Sequence, residues 1–587
     1  MSFTQLSEYP KLKDYLMDQP EALAEAKNIY KELAATYSPS AVSKLESIFD
    51  ASFAKLYSGI SLQSSEGDDI KQMSKDSHLV LCPNHQSYAD FLGITYAFHK
   101  KLALPIYIAA GINLNVFPLG NIFRKAGAFF IRRSFRGDDL YKLVLEAYIY
   151  MLLKEQKIIK FYFEGGRSRT GRLLPPRYGL FQMLLESYSH LDSDKPLCFL
   201  PLSISHERLP EAGAHKVEVS GGKKVKESSA QLFKIFKVFS KRFGSIHLRA
   251  GKGIYVRQIN EDRRKQVQDL AFDCFRAVGK GMMVSPTSLL SMVVLDNISG
   301  ALTKEHIEER CVGILQYCRD FSIAISPNLA KDWQAAINEA LNLLISSKKL
   351  SIVKSTALQK TFYHVHEDSR IELLYLKNTI LHHFLIPLFI AGAWINILRG
   401  SIDDIKSLNT YFLKQRKLLR HEFYLPTSEE MFAAIKVLVA KSLGRDSFDF
   451  AQSFQLDKKD FYKLGADLGP YASSFSHIYE AYYVAALSLK SCIGETFSIE
   501  DFKASSKEIF QVERDYGKMI RYPESYSVSI MQSALNYFVN EGILETVNAD
   551  KDYLLPKNKQ THLDNYIETF ATILSDFTAL NIKKFQA

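Results

Sequence analysis

Short apolar runs of strand length recur between residues 78 and 257, with helical patterns between several of them. The runs are Leu79–Cys82, Pro105–Ala109, Ala128–Ile131, Ile158–Phe163, Cys198–Ile204 and Ile246–Ala250. Most are rich in β-branched or aromatic residues, and the helical patterns include Leu140–Leu153 and Leu180–Ser189. This alternation predicts an α/β domain with a largely parallel sheet over residues 78–257. Residues 1–77 predict a helical N-terminal cap: Pro20-Glu21 and an Ala-rich run open a helix, and Ser38-Pro39-Ser40 breaks it. Residues 258–587 predict a mainly helical C-terminal domain. Its helices include Ile307–Arg319, Lys331–Ser347, Glu430–Leu443 and Ser476–Lys490, interrupted by strand-like runs at Leu350–Val353, Ile371–Leu376 and Ile543–Val547.

At the C-terminal end, a helix over Val528–Glu541 followed by a small β-wing would resemble the winged-helix DNA binders, but that helix is not basic. One stretch raises a membrane question. Asn378 to Leu398 has the length of a membrane span, yet it carries His382, His383, Asn396 and a central Pro387. It reads as a buried helix or as one lying in a membrane interface, with a full span as a further alternative.

At 587 residues the chain is too long for one ordinary core. With 47% hydrophobic and 24% charged residues it is globular. The net charge of +10 suits polyanionic partners, whether nucleic acid, phosphorylated substrates or an anionic membrane surface. The six cysteines are scattered, without zinc or redox spacing, and read as reduced core thiols in a cytoplasmic protein. Met1 to Gln5 lacks the basic and apolar regions of a signal peptide.

Candidate chemistry begins where the first apolar run ends, at Pro83-Asn84-His85-Gln86-Ser87-Tyr88-Ala89-Asp90. His85 falls in a strand-to-helix turn, with Asp90 five residues on. A carboxylate that fixes one ring nitrogen leaves the other free to take a proton, so the pair can act as a general base. A nearby helix N-terminus keeps the resting imidazole neutral. A second stretch, Gly127 to Phe135, places Arg132 and Arg133 at a strand end, where ligands collect in parallel sheets. A third, Phe161 to Arg172, runs a strand into a loop holding Glu164, Gly165, Gly166, Arg167, Ser168 and Arg169. The glycines allow close approach of a ligand, and the arginines supply positive charge. The loop is neither a Walker loop nor a nucleophile elbow, so Ser168 reads as a hydrogen-bond donor. A fourth, Phe199 to Glu207, is a strand interrupted by Pro201.

In their order, these four stretches resemble the motifs of the glycerolipid acyltransferase superfamily. GAFFIRRSFRGDDLY and FEGGRSRTGRLL look like the bacterial and mitochondrial glycerol-3-phosphate acyltransferase branch, and LLYLKNTILHHF and EFYLP are also similar to it. The fourth motif commonly has Tyr-Glu where this chain has His206-Glu207. The resemblance implies an acyltransferase-type α/β domain. His85 would deprotonate the 1-hydroxyl of glycerol 3-phosphate, and Asp90 would orient His85. Arg132, Glu164, Gly165, Arg167, Ser168 and Arg169 would position the acceptor, and Pro201 would shape the acyl-donor side. The donor would be acyl-CoA or acyl-acyl-carrier-protein, and the product lysophosphatidic acid. A thioester is already activated, so no metal or cofactor is implied. An amphiphilic product implies peripheral or monotopic attachment to anionic lipids on the cytoplasmic face of the inner membrane. Alternatives within the family are dihydroxyacetone phosphate or a lysophospholipid as acceptor. A serine esterase using Ser87 or Ser168 is a rival from another class. A nucleic-acid binder is another, but the chain carries no recognition motif for it.

Overall fold

The apolar runs of residues 78–257 become neighbouring strands. The computed structural model describes residues 2–65, 69–117, 119–134, 137–222, 242–296, 300–517, 519–520, 522–548 and 552–582. Strands β1 (Gly59–Ser64), β2 (His78–Pro83), β3 (Ile106–Gly111), β4 (Ala128–Ile131), β5 (Ile158–Lys160), β6 (Leu197–His206), β7 (Ser245–Ala250) and β8 (Ile254–Val256) form one sheet. Its order is β1-β7-β6-β2-β5-β3-β4, with β8 also paired to β6. β2 is parallel to β5 and β6, and β3 is parallel to β4 and β5. β7 and β8 run antiparallel to β6. The C-terminal ends of β2 and β5 therefore lie side by side, which brings the His85 turn next to the Glu164 loop.

β1 corrects the all-helical expectation for residues 1–77. Only Ile60 and Leu62 mark its inward face, too short an alternation to stand out, and pairing with β7 in register Gly59↔Ser245 through Ser64↔Ala250 settles it as a strand. Pro201 does not interrupt β6, whose ten residues are all buried. Its missing N–H falls where β7 gives way to β8: Leu202 pairs with Ala250, Phe199 pairs with Ile254, and the carbonyl of Pro201 accepts the Gly251 N–H at 2.9 Å.

Helical layers cover both faces. Helices Asp139–Lys154, Gly179–Ser189 and Arg263–Gly281, with the N-terminal helices through Leu6, Tyr9, Ile29 and Leu33, pack on Val80, Ile159, Phe161 and Phe199. Ile94, Phe98 and Met73 pack on Leu79, Leu81, Ile108 and Leu200 on the other side.

From Val284 to Phe577 the chain builds a separate apolar core. The run Ile371–Leu376, expected as a strand, lies in the helix Arg370–Asn378. Leu373 through Asn378 are all buried, so no polar face marks the helical period, and a short apolar run of this kind reads equally as strand. The C-terminal wing is present. Strand β9 (Ala301–Thr303) and the hairpin β10 (Leu350–Ser355) and β11 (Lys360–Val365) form one small sheet; β12 (Thr496–Ser498) and the hairpin β13 (Glu545–Val547) and β14 (Asp552–Leu554) form another. In both, the hairpin's return strand lies in the middle, and two longer helices separate the first strand from the hairpin. The same connectivity thus occurs twice, with Arg370–Asn378 between the copies.

The Asn378–Leu398 stretch holds a helix, Leu385–Leu398, which buries Leu385 and Pro387 to Trp394 in the C-terminal core. Measured over Leu381–Leu398, about 61% of this apolar segment is buried in protein. Before it, Nε2 of His382 donates to the carbonyl of Gly279 at 2.9 Å, and Nε2 of His383 donates to that of Met282 at 2.8 Å. Burial pushes His382 down to about 4; burial, with His382 alongside, pushes His383 further. The unfolded chain takes up these protons near pH ~6.5, which the folded chain refuses. Stability is full above pH ~6.5 and falls as the pH drops toward about 4, by on the order of 3 kcal/mol for His382. Urea midpoints at about pH 7.5 and about pH 5 measure this. An equal fall in a variant carrying His382→Asn and His383→Asn would assign the effect to other groups.

Candidate active site

The base turn is shaped by the end of β2. Beyond Pro83 the ladder to β6 continues through a side chain: Asn84 Oδ1 accepts the Ile204 N–H at 2.7 Å, and its Nδ2 donates to the Ile204 carbonyl at 3.1 Å. The backbone then turns away, and helix Ala89–Tyr96 starts with Asp90 in its first turn. Asp90 is fully buried. Its Oδ2 accepts Nδ1–H of His85 at 2.9 Å and the N–H groups of Gln86 and Ser87 at 2.6 and 2.9 Å. Its Oδ1 accepts Nε2–H of His206 at 2.5 Å. Burial works against the charge, but the two histidines outweigh it and hold the carboxyl well below its usual range.

His85 is lowered from its ordinary value, chiefly by burial, against Asp90 and with help from Arg167 and Lys160. Its ring stacks on Tyr162, centroids 3.8 Å apart. Tyr162 Oη accepts from Lys160 Nζ at 3.2 Å, and burial pushes that ammonium down to about 7. With Nδ1 bound to the carboxylate, Nε2 of the neutral ring is the nitrogen that can take a proton.

The Gly-rich loop folds against this turn. Glu164 Oε1 accepts the His85 N–H at 2.6 Å and Oε2 accepts that of Leu174 at 2.7 Å. Burial pushes Glu164 up to about 8, opposed by those two bonds. Gly165 follows at φ +68, where a Cβ would lie 2.9 Å from Arg177 Cγ. Ser168 donates its N–H to the His85 carbonyl at 2.9 Å and its hydroxyl to the Arg172 carbonyl at 2.6 Å. Arg167 lies over the ring of Tyr88 at 3.6 Å, with Glu211 3.6 Å from Nη1. Arg169 donates Nε–H to Glu218 at 2.7 Å.

The structure thus gathers His85, Asp90, Glu164, Gly165, Arg167, Ser168 and Arg169 around one turn. Arg132 stands apart just beyond the end of β4, three strands or roughly 14 Å over from β2. It is held by Glu32 at 2.8 Å and Asp138 at 2.9 Å, above the ring of Tyr141. Phe135 and Arg136 of its motif lie outside the described residues. Pro201 lies within β6 opposite Cys82. Three members were not foreseen. Tyr162 shares a period-two face with Lys160 and Glu164, a pattern visible in the sequence. Glu211 accepts from Ser87 Oγ at 2.8 Å and the Tyr88 N–H at 2.9 Å, closing the helix start from another element. His206 was visible only as a departure from a motif.

Residues 65–205 match the acyltransferase family. Residues 217–547, more than half the chain, match the glycerol-3-phosphate acyltransferase C-terminal region. The chain belongs to the glycerol-3-phosphate acyltransferase family. It is 30% identical over 461 residues to a glycerol-3-phosphate acyltransferase of Pseudoalteromonas translucida, covering 73% of this chain and 55% of the relative. The relative from Shewanella woodyi is 31% identical over 459 residues, covering 74% and 55%. That from Pseudomonas paraeruginosa is 31% identical over 410 residues, covering 66% and 48%. The chain spans about half the length of these curated relatives. The Asp90 site lies within the acyltransferase match and helix Arg370–Asn378 within the glycerol-3-phosphate acyltransferase match, and the two regions meet at the Gly-rich loop, where Asn378 Nδ2 donates to the Thr170 carbonyl at 2.9 Å.

Proposed function

We propose that this chain transfers a fatty acyl group from a thioester, acyl-CoA or acyl-acyl-carrier-protein, to the 1-hydroxyl of glycerol 3-phosphate, giving lysophosphatidic acid. The observation that carries the reading is the buried Asp90 bound to Nδ1 of His85, at the C-terminal end of a parallel sheet, in a chain of this family. His85 Nε2 takes the hydroxyl proton as the acceptor oxygen attacks the thioester carbon. The C–S bond breaks, and the leaving thiolate takes the proton back from the imidazolium. Asp90 stabilises that cation and fixes the tautomer. Nothing is oxidised or reduced.

Arg167 and Arg169 supply the positive charge for the acceptor phosphate. Glu164, Gly165 and Ser168 hold the loop that carries them. Arg132 and Pro201 are assigned the flanks of the site, on the acceptor and donor sides. The chemistry belongs to the α/β unit of residues 78–257, between the N-terminal helices and the C-terminal domain of residues 258–587. The net charge of +10 suits an anionic membrane surface, on the cytoplasmic face of the inner membrane, as the place where an amphiphilic product is released.

A panel of acceptors and thioester donors, with products identified by mass, tests the reading. Glycerol 3-phosphate is expected to yield lysophosphatidic acid. Transfer to dihydroxyacetone phosphate or to a lysophospholipid, with none to glycerol 3-phosphate, would overturn it.

A further inference from the structure

One cation near the base has no carboxylate partner. Lys160 ends β5, paired with Leu81 of β2 on one side and Ile108 of β3 on the other, and is 0% exposed. Among the described residues no acidic side chain forms an ion pair with its Nζ. The ammonium instead donates to Tyr162 Oη at 3.2 Å and lies 4.9 and 5.3 Å from the ring centres of Tyr162 and Phe91. A phenol and two ring faces offset only part of the desolvation of a buried charge, and burial pushes the ammonium down to about 7. An apolar side chain of the same length would fill this space at less cost to the fold. Packing does not account for a lysine here, whereas its neighbours do.

Both rings against the ammonium belong to the base. Tyr162 lies two residues beyond Lys160, on the same face of the extended chain, and its ring stacks on His85 with centroids 3.8 Å apart and planes 12° from parallel. Phe91 follows Asp90 in the helix that this carboxylate begins.

The charges around the imidazole come from four directions. Asp90 binds Nδ1 from the turn itself, and His206 of β6 donates to the same carboxylate. Glu164 and Arg167 come from the Gly-rich loop, and His215 faces the ring from helix Ala212–Val219. Lys160 and Tyr162 come from β5 and its extension. Burial does most to keep His85 neutral; Asp90 opposes it, and Arg167 and Lys160 add to it. Arg167 has Glu211 3.6 Å from its Nη1. Lys160 has no such carboxylate, so its charge reaches the imidazole undiminished by an ion pair.

We propose that Lys160 is a positioning residue of the acyl transfer: its ammonium, set against the ring that stacks on His85, holds the imidazole in the neutral form that accepts the acceptor's proton. The proposal rests on the acyltransferase reading above, in which His85 is the base. As the pH falls, the lysine takes up a proton first, and its charge then opposes a second one on His85. The neutral base therefore survives further into the acid range. Above pH ~7 the lysine is uncharged and its influence fades.

The test uses the full chain, the pH profile of kcat/KM with glycerol 3-phosphate, and the titration of the His85 imidazole by NMR with isotope-labelled histidine, its signal assigned by its loss in His85→Gln. Lys160→Met is expected to fold with a urea midpoint no lower than that of the wild type. It is expected to move both the acid limb and the imidazole titration up by roughly one pH unit, with the acceptor KM at pH about 8 unchanged. Lys160→Arg, which keeps the charge, is expected to restore the wild-type limb. An imidazole titration that stays in place in Lys160→Met would overturn the proposal. So would an acceptor KM raised at every pH without a shift, which would make the lysine a charge for the phosphate. If the wild type does not acylate glycerol 3-phosphate but the titration shifts as expected, the coupling of Lys160 to His85 stands and the activity reading fails. Should Lys160→Arg not fold, the titration of Lys160→Met decides.

Discussion

Replacing His85 with alanine is expected to lower kcat by about a hundred- to ten-thousand-fold and to leave glycerol 3-phosphate binding in place. A glycerol hydroxyl is a poor nucleophile until its proton leaves, so the base acts where the bond to the thioester carbon forms. Asp90→Asn is expected to give a defect of the same kind: the amide keeps a hydrogen-bonding group beside His85 but removes the charge that stabilises its imidazolium and fixes its tautomer. The loss is compounded here because His206 also donates to that carboxylate. Burial lowers His85, so the neutral base persists as the pH drops, and the acid limb of wild-type kcat/KM lies below pH ~6.5. Steady-state kinetics are expected to show a ternary complex. Ping-pong kinetics with a trapped acyl-serine would instead favour an esterase-like route through Ser87 or Ser168.

How much of this site was legible depends on how far each contact reaches along the chain. His85 and Asp90 lie five residues apart, and their pairing follows from a local turn. The contact of His206 with Asp90 spans 116 residues and that of Glu211 with Tyr88 spans 123; both exist only because β6 lies beside β2. Strand order is not written in periodicity. The same limit applies to the elements. β4 and helix Asp139–Lys154 were readable because long apolar runs and a clear period mark them. β1 offered only Ile60 and Leu62. The helix Arg370–Asn378 lost its signature because it is wrapped on all sides. Its burial between regions, which hid its type, is also what sets Tyr375 against Gly171 and Asn378 against Thr170.

Arg370→Ala is expected to destabilise the chain by about 3–5 kcal/mol, the range for breaking a buried ion pair from one side. Arg370 Nε donates to both carboxylate oxygens of Glu524, at 2.7 and 2.8 Å, and Nη2 donates to the Leu295 carbonyl at 3.3 Å. The guanidinium lies 3.5 Å above the ring of Tyr522. With the arginine gone, Glu524, only 7% exposed, loses its counterion. Urea denaturation of the wild type and the variant measures the loss. A change under about 1 kcal/mol would mean that water reaches the site and screens the pair.

The two hydrogen bonds between the side chain of Asn84 and the backbone of Ile204 have a consequence for motion. His85 is the next residue after a side chain built into the ladder, and His206 lies two residues beyond the backbone it grips. The base and the other histidine that donates to its carboxylate are therefore anchored to the same pair of strands. The entropy of holding the carboxylate's second histidine in place is lost once, when the sheet forms. The His85–Asp90 pair is set by its own turn, and the pairing of β2 with β6 fixes His206 on the same carboxylate.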